Sequence, residues 1–211
     1  MKKAVIFDLD GVLVHTDRLH YTAWKELTGR LGIPFGQTVY RRLRGISRMD
    51  SLDIVLEAAP RDFSPEEKAA LAAEKNEAYL ALAAGLGPRD VAEDVRRALR
   101  GLRERGLLLA VGSSSRNAKY ILERTGLAPS FDAVADGTMV TRAKPDPEVF
   151  LKAAALLGVS PGQALVVEDA AAGIKAARDG GFTAVAFGGD AVESPLAEHR
   201  VGALTELLDL V

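Results

Sequence analysis

Two acidic pairs and one lysine are the residues of this chain whose types and spacing could do chemistry. Asp8 and Asp10 stand just past the apolar run Lys3–Phe7, and Glu168-Asp169 ends a second run, Ala164–Val167. Residues i and i+2 of an extended chain point to the same side, so Asp8 and Asp10 would converge on one spot. Like charges that close need a cation or a proton between them. A solvated Asp-Gly turn is the ordinary alternative for the first pair, and an acidic N-cap for a helix starting near Ala170 is the ordinary alternative for the second. If a sheet brings the pairs together, Mg²⁺ is the natural compensation, because it takes oxygen ligands. Lys144, in Lys144-Pro145-Asp146-Pro147, could hold its ammonium against carboxylates and a phosphate, or could be a surface lysine in a loop. Ser113-Ser114-Ser115-Arg116-Asn117 follows a third apolar run, where hydroxyls and backbone N–H groups form either a phosphate cradle or a serine-rich N-cap.

The elements that must position these residues follow an alternating pattern. Apolar runs at Lys3–Phe7, Leu107–Val111, Ala133–Ala135, Ala164–Val167 and Thr183–Phe187 each end in polar or glycine-rich residues. Helical patterns at Val95–Arg105, Asn117–Arg124, Pro147–Leu157 and Ala170–Asp179 lie between them, and Gly106, Gly126, Gly158 and Gly180 suit their ends. Wholly apolar strands alternating with helices predict an α/β fold, a Rossmann-like parallel sheet covered on both faces. Ligands of such sheets bind at the carboxyl ends of the strands, where the residues above fall.

Residues 15 to 88 break the alternation and read as helix after helix. Leu19, Ala23, Leu27 and Leu31 recur every four residues, and Ser64-Pro65-Glu66-Glu67 is a helix start with an N-cap serine and a first-turn proline. We expect an all-helical cap, 15–88, inserted into a core made of 1–14 and 89–211.

The 211 residues are 48% hydrophobic and carry a formal net charge of -2, which gives no basis for nucleic-acid binding. The absence of cysteine excludes disulfides, a thiol nucleophile and thiolate metal ligands. No run is long enough to span a membrane, and the opening apolar run is too short for a signal peptide, so the cytoplasm is the expected location.

DLDG, the strand-end serine, the Lys-Pro lysine and the Glu-Asp pair occur in the order and spacing of the four motifs of the haloacid dehalogenase-like (HAD) superfamily, which the chain resembles over nearly its whole length. The resemblance implies that Asp8 is a nucleophile forming an aspartyl phosphate and that Asp10 is the general acid and base. It implies that Ser113 binds the transferring phosphate with help from the Ser114 backbone, and that Lys144 neutralises charge. Mg²⁺ would be held by Asp8, Glu168, Asp169 and the Asp10 backbone carbonyl. Phosphoryl transfer asks chiefly for such positioning and charge neutralisation.

The helical insertion is similar to that of the β-phosphoglucomutase family in Thr16, His20, Trp24, the run Arg44-Gly45-Ile46-Ser47-Arg48-Met49-Asp50-Ser51-Leu52, and Lys75-Asn76. The similarity implies that Arg48 grips the phosphate that is not being transferred, assisted by Ser115, Arg116 and Asn117. It implies that His20 orients Asp10 and the substrate, and that Lys75 contacts the sugar; Gly45, Ile46, Ser47 and Ser51 complete the substrate site. The implied reaction interconverts β-glucose 1-phosphate and glucose 6-phosphate through β-glucose 1,6-bisphosphate, in an enzyme expected to act as a monomer. Ordinary readings compete: Trp24 as cap core, His20 facing solvent, Arg48 as a surface charge, Lys75 on a charged helix face. His15, Arg44 and Arg116 stand where that family has an acidic residue and two lysines, and Ala92-Glu93-Asp94-Val95 replaces a Tyr-Pro-Gly turn. The competing functions are a sugar-phosphate phosphatase on the same fold and a non-catalytic phosphate- or metal-binding module.

Overall fold

The computed structural model describes residues 2–211. Six parallel strands form one sheet: β1 (Ala4–Phe7), β2 (Leu108–Gly112), β3 (Ala133–Ala135), β4 (Ala164–Glu168), β5 (Thr183–Phe187) and β6 (His199–Val201), in the order β3-β2-β1-β4-β5-β6. The sequence pattern predicts the first five. The short edge strand β6 carries exposed His199 and Arg200, so no apolar run announces it.

The period of two along each strand sorts the core into two layers. Val5, Phe7, Leu109, Val111, Leu165, Val167 and Val185 face one side and pack on α5 (Glu93–Glu104) and α6 (Ala118–Thr125). Ala4, Ile6, Ala110, Val166, Ala184 and Ala186 face the other side and pack on α7 (Glu148–Leu157) and α8 (Ala171–Asp179). The second face is rich in alanine, and the bulk there comes from Phe150 and Phe182, whose rings meet edge to face with centroids 6.3 Å apart.

Between β1 and α5 lie α1 (Asp17–Leu31), α2 (Gln37–Arg41), α3 (Arg48–Leu56) and α4 (Pro65–Ala83). Trp24, Leu27, Tyr40, Leu43, Leu52, Val55, Leu71 and Ala72 form an apolar cluster of their own within these helices. The start of α4 is a capping box: Ser64 accepts from the Glu67 N–H at 3.2 Å, and the Glu67 carboxylate accepts from the Ser64 N–H at 2.8 Å. Ala23, Tyr79 and Ala83 instead join Val12, Leu13 and Val14 in the first core layer, which seats the insertion on the sheet end. Among the described residues no helix is long and apolar enough to cross a membrane.

Candidate active site

The strand order reverses direction between β1 and β4, and there the crevice at the carboxyl edge opens. Asp8 follows β1 and its N–H donates to the Val167 carbonyl at 2.9 Å, so the ladder with β4 fixes it beside Glu168. Gly11, at φ +92°, lets the chain turn away under Asp169, because a Cβ there would collide with the Asp169 carboxylate. Gly173 leaves room in the same way for Glu168.

Asp8, Glu168 and Asp169 are all buried and each offers an oxygen within 4.8 Å of the others. Lys144 lies between two of them, with Nζ 2.5 Å from Asp8 Oδ1, 2.5 Å from Glu168 Oε1 and 3.1 Å from the Gly112 carbonyl. Arg44, from the helical insertion, donates to Asp169 and lies 3.5 Å from Asp17. Burial raises the Asp8 carboxyl well above the ordinary range; Lys144 opposes this, and the neighbouring carboxylates add to it. Burial, with the Glu168 charge, pushes Asp169 up to about 8 against the pull of Arg44. Burial works to lower Lys144, but Asp8 and Glu168 outweigh it and hold the ammonium charged. Four carboxyl groups with Asp10 thus face two cations. Burial first, and the crowding of carboxylates second, make the charged forms of Asp8 and Asp169 costly without a cation, and an all-oxygen donor set of this kind fits a hard divalent cation.

Above this cluster a cavity of about 990 Å³ separates the sheet end from the insertion. Ser113 is fully buried at its floor: its N–H donates to the Ala135 carbonyl at 3.0 Å and its Oγ accepts from the Ser115 N–H at 3.1 Å, leaving the hydroxyl proton to donate. Ser114 Oγ donates across the cleft to the Gly45 carbonyl at 3.1 Å, and Ser115 Oγ accepts from the Asn117 N–H at 3.2 Å. Gly45, at φ +74°, brings the backbone of the insertion against Ala170, where a Cβ would come within 2.9 Å of the Ala170 methyl.

Arg48 and Arg116 line the cavity, and neither forms an ion pair among the described residues. Burial and the nearby Arg116 charge lower Arg48 from its usual value. Two guanidiniums facing a cavity, neither with an ion-pair partner among the described residues, make a site for an anion.

Asp10 sits beneath the insertion. Thr16 donates to it, and His20 Nε2 lies 3.7 Å from its Oδ1. Burial works to raise Asp10, yet His20 and Thr16 leave it below its ordinary value. Lys75 Nζ lies 2.8 Å from His20 Nδ1, and a charged lysine there makes Nδ1 the acceptor and leaves the ring proton on Nε2, facing Asp10. Burial, with the Arg48 charge, lowers Lys75 to about 7. Tyr79 stacks on His20 with centroids 4.1 Å apart.

A family model for haloacid dehalogenase-like hydrolases matches residues 2–181. The chain belongs to that family. Within the HAD-like hydrolases it is 42% identical over 188 residues to a β-phosphoglucomutase of Bacillus subtilis, covering 88% of this chain and 83% of that one. It is 34% identical over 181 residues to a fructose-1-phosphate phosphatase of Escherichia coli, covering 86% of this chain and 94% of that one. The crystal structure of a β-phosphoglucomutase from Clostridium difficile superposes with a TM-score of 0.92 at 35% identity, covering 98% and 93% of the two chains.

The HAD-like arrangement brings most of the expected residues to one cavity. Asp8, Asp10, Lys144, Asp169, Ser113, Ser114, Ser115, Arg116, Asn117, His20, Trp24, Gly45, Ile46, Ser47, Arg48, Ser51 and Lys75 line it. Thr16 and Glu168 lie behind the lining, on Asp10 and Lys144. Trp24 is only 3% exposed and belongs to the apolar cluster of the insertion, so it serves both as core and as wall. Ser47 is occupied as the N-cap of α3, accepting from the Asp50 N–H at 3.1 Å. The ordinary readings of two residues do not hold: Lys75 is 3% exposed rather than on an open face, and His20 turns to Asp10 rather than to solvent. Sequence reasoning gave no role to Arg44, Asn76 or Tyr79; the only signal for Tyr79 is its place one turn after Lys75 on α4.

Proposed function

We propose that this chain is a Mg²⁺-dependent β-phosphoglucomutase, with residues 15–88 as a cap over a core of 1–14 and 89–211. The observation that carries the reading is that Arg48 and Arg116, without an ion-pair partner among the described residues, face a cavity whose floor is the carboxylate cluster. A substrate with a second phosphate suits both ends, whereas a simple ester needs only the floor.

In this reading Asp8 is the nucleophile and carries the phosphoryl group as an aspartyl phosphate. Lys144, 2.5 Å from Asp8, neutralises charge on the group in flight, and Ser113 donates to it with the Ser114 backbone. Mg²⁺, held by Asp8, Glu168, Asp169 and the Asp10 carbonyl, would supply further charge neutralisation on the phosphoryl oxygens. Asp10 takes the proton from the 6-hydroxyl of β-glucose 1-phosphate as that oxygen attacks the phosphorus on Asp8. His20, aligned by Lys75, orients Asp10. Arg48, Arg116 and Asn117 hold the other phosphate while Gly45, Ile46, Ser47, Ser51 and Ser115 shape the wall. β-Glucose 1,6-bisphosphate forms, reorients and returns its 1-phosphate to Asp8 while Asp10 gives its proton to the departing O1, and glucose 6-phosphate leaves. The contacts of Arg44 with Asp169 and of Ser114 with Gly45 close the cap and keep water from the aspartyl phosphate. Sugar phosphates are the partners, and a cytoplasmic monomer is the expected form.

The test is a coupled assay with Mg²⁺, β-glucose 1-phosphate and a trace of glucose 1,6-bisphosphate, reading glucose 6-phosphate and free phosphate together, with the α-anomer as control. Glucose 6-phosphate from the β-anomer alone, with little free phosphate, is the expected result. Free phosphate without glucose 6-phosphate would replace this reading with a sugar-phosphate phosphatase, the activity of the Escherichia coli relative.

A further inference from the structure

We propose that Asn76 is a positioning residue for the anion at the guanidinium end of the cavity, acting through Asn117. The inference deepens the function proposed above and rests on its assignment of a second phosphate to that end.

Asn76 lies on α4, next to Lys75, and Asn117 stands at the N-terminus of α6 on the sheet side of the cleft. Asn117 Nδ2 donates to Asn76 Oδ1 at 2.8 Å. Asn117 lines the cavity and Asn76 stands behind it, so the route from Asn76 to a bound ligand runs through its partner. The other side-chain pairs that tie the insertion to the sheet end, Arg44 with Asp169 and Thr16 and His20 with Asp10, all gather at the carboxylates. The asparagine pair is the corresponding tie at the cationic end.

The main chain of Asn117 is already fixed, since its N–H donates to Ser115 Oγ at 3.2 Å. What stays open is the side-chain torsion and which way the amide faces. Asn76 Oδ1 takes one N–H of the amide nitrogen and leaves the second N–H as a donor for an anion. An amide held in this way donates without losing rotamer freedom when the anion arrives. Because the bond crosses the cleft, it exists only while the cleft is shut. Anion binding at Asn117 and closure of the insertion are therefore linked, and each favours the other by the same factor.

The test is a double-mutant cycle on the full-length protein with Asn76→Ala, Asn117→Ala and the double variant. The readout is the inhibition constant of glucose 6-phosphate against hydrolysis of 4-nitrophenyl phosphate. Asn76→Ala should raise that constant about fivefold, the worth of one hydrogen bond, and should add less than twofold once Asn117 is alanine. Two single effects that multiply in the double variant would show that Asn76 acts independently of Asn117 and overturn the proposal, as would an unchanged constant in Asn76→Ala. Asn76→Ser, whose hydroxyl is too short to reach Asn117, replaces the alanine variant if that one does not fold, with the same expected result. Failure of the mutase assay in the wild type overturns the function and leaves this cycle readable. A wild type that glucose 6-phosphate does not inhibit overturns the anion assignment, and the proposal with it.

Discussion

Lys144 reaches Asp8 across 136 residues of sequence, and its Nζ lies 2.5 Å from the Asp8 carboxylate with both side chains buried. The same nitrogen meets Glu168 at 2.5 Å, so removing it strands two buried carboxylates at once. Lys144→Met should lose turnover and also lower stability by about 3–5 kcal/mol, the usual cost of breaking a buried pair. Asp8→Asn should lose turnover but keep its fold, because a carboxamide oxygen still accepts from Lys144. Thermal unfolding and turnover of the two variants check this; full activity in Asp8→Asn would end its assignment as nucleophile.

Asp8, Glu168 and Asp169 are three buried carboxyl groups gathered at one point, and a divalent cation there would stabilise their charged forms. Millimolar Mg²⁺ should raise the melting temperature of the wild type by several degrees through preferential binding to the folded state. Asp169→Asn should show little of that rise. Equal rises in both proteins, seen by scanning calorimetry, would argue against a cation at this cluster.

Lys75 carries a pH dependence of stability. Its ammonium is buried and lowered from 10.5 to about 7. Between those two values the unfolded chain binds more protons than the folded one, so this residue makes stability rise with pH across that window. Below about pH 7 the charged lysine imposes its full penalty, and above about pH 10.5 none. Lys75→Met should therefore be more stable than the wild type at pH 6, by roughly 1–3 kcal/mol, with the gap closing as pH rises. Denaturant unfolding at pH 6 and pH 9 measures it, and a gap that widens with pH would contradict the burial argument. The same variant should turn over more slowly, since His20 loses the partner on Nδ1.

Arg48→Ala should harm mutase turnover far more than hydrolysis of a small aryl phosphate. A charge-assisted contact of about 2–3 kcal/mol corresponds to roughly a 30- to 150-fold loss. Measuring kcat/KM for both substrates decides it. Equal losses would place Arg48 in the general architecture of the cavity and not on a second phosphate.

Much of this site is legible in the sequence because the strands that carry it are wholly apolar and stop at charged residues. Asp8 after AVIF and Glu168 at the end of ALVVE are set by ladder geometry, which the sequence pattern encodes directly. His20 and Lys75 are not legible in that way. Their helices are long and charged, and what buries them is the seating of α1 against α4 across 55 residues of sequence. Arg44 reads as one more basic residue in the run Arg41-Arg42-Leu43-Arg44, until the fold sets it on Asp169, 125 positions away. Tyr79 is hidden for a different reason: its ring reads as apolar packing, and only the structure shows the imidazole lying flat on it. β6 is missed because an edge strand with two exposed polar residues has no apolar signature.

Gly45 sets the thickness of the seam between insertion and sheet. A Cβ at this position would sit 2.9 Å from the Ala170 methyl, closer than two carbons pack, and its φ of +74° already disfavours any side chain. The seam is therefore gauged to one missing carbon atom. A residue of any other kind at this position would act as a shim, holding the chamber ajar, and water would have the same access to Asp8 as a sugar hydroxyl. On this geometry the difference between passing a phosphoryl group to a sugar and losing it to solvent lies in a gap the width of a methyl group, and it is set by a residue with no functional group of its own.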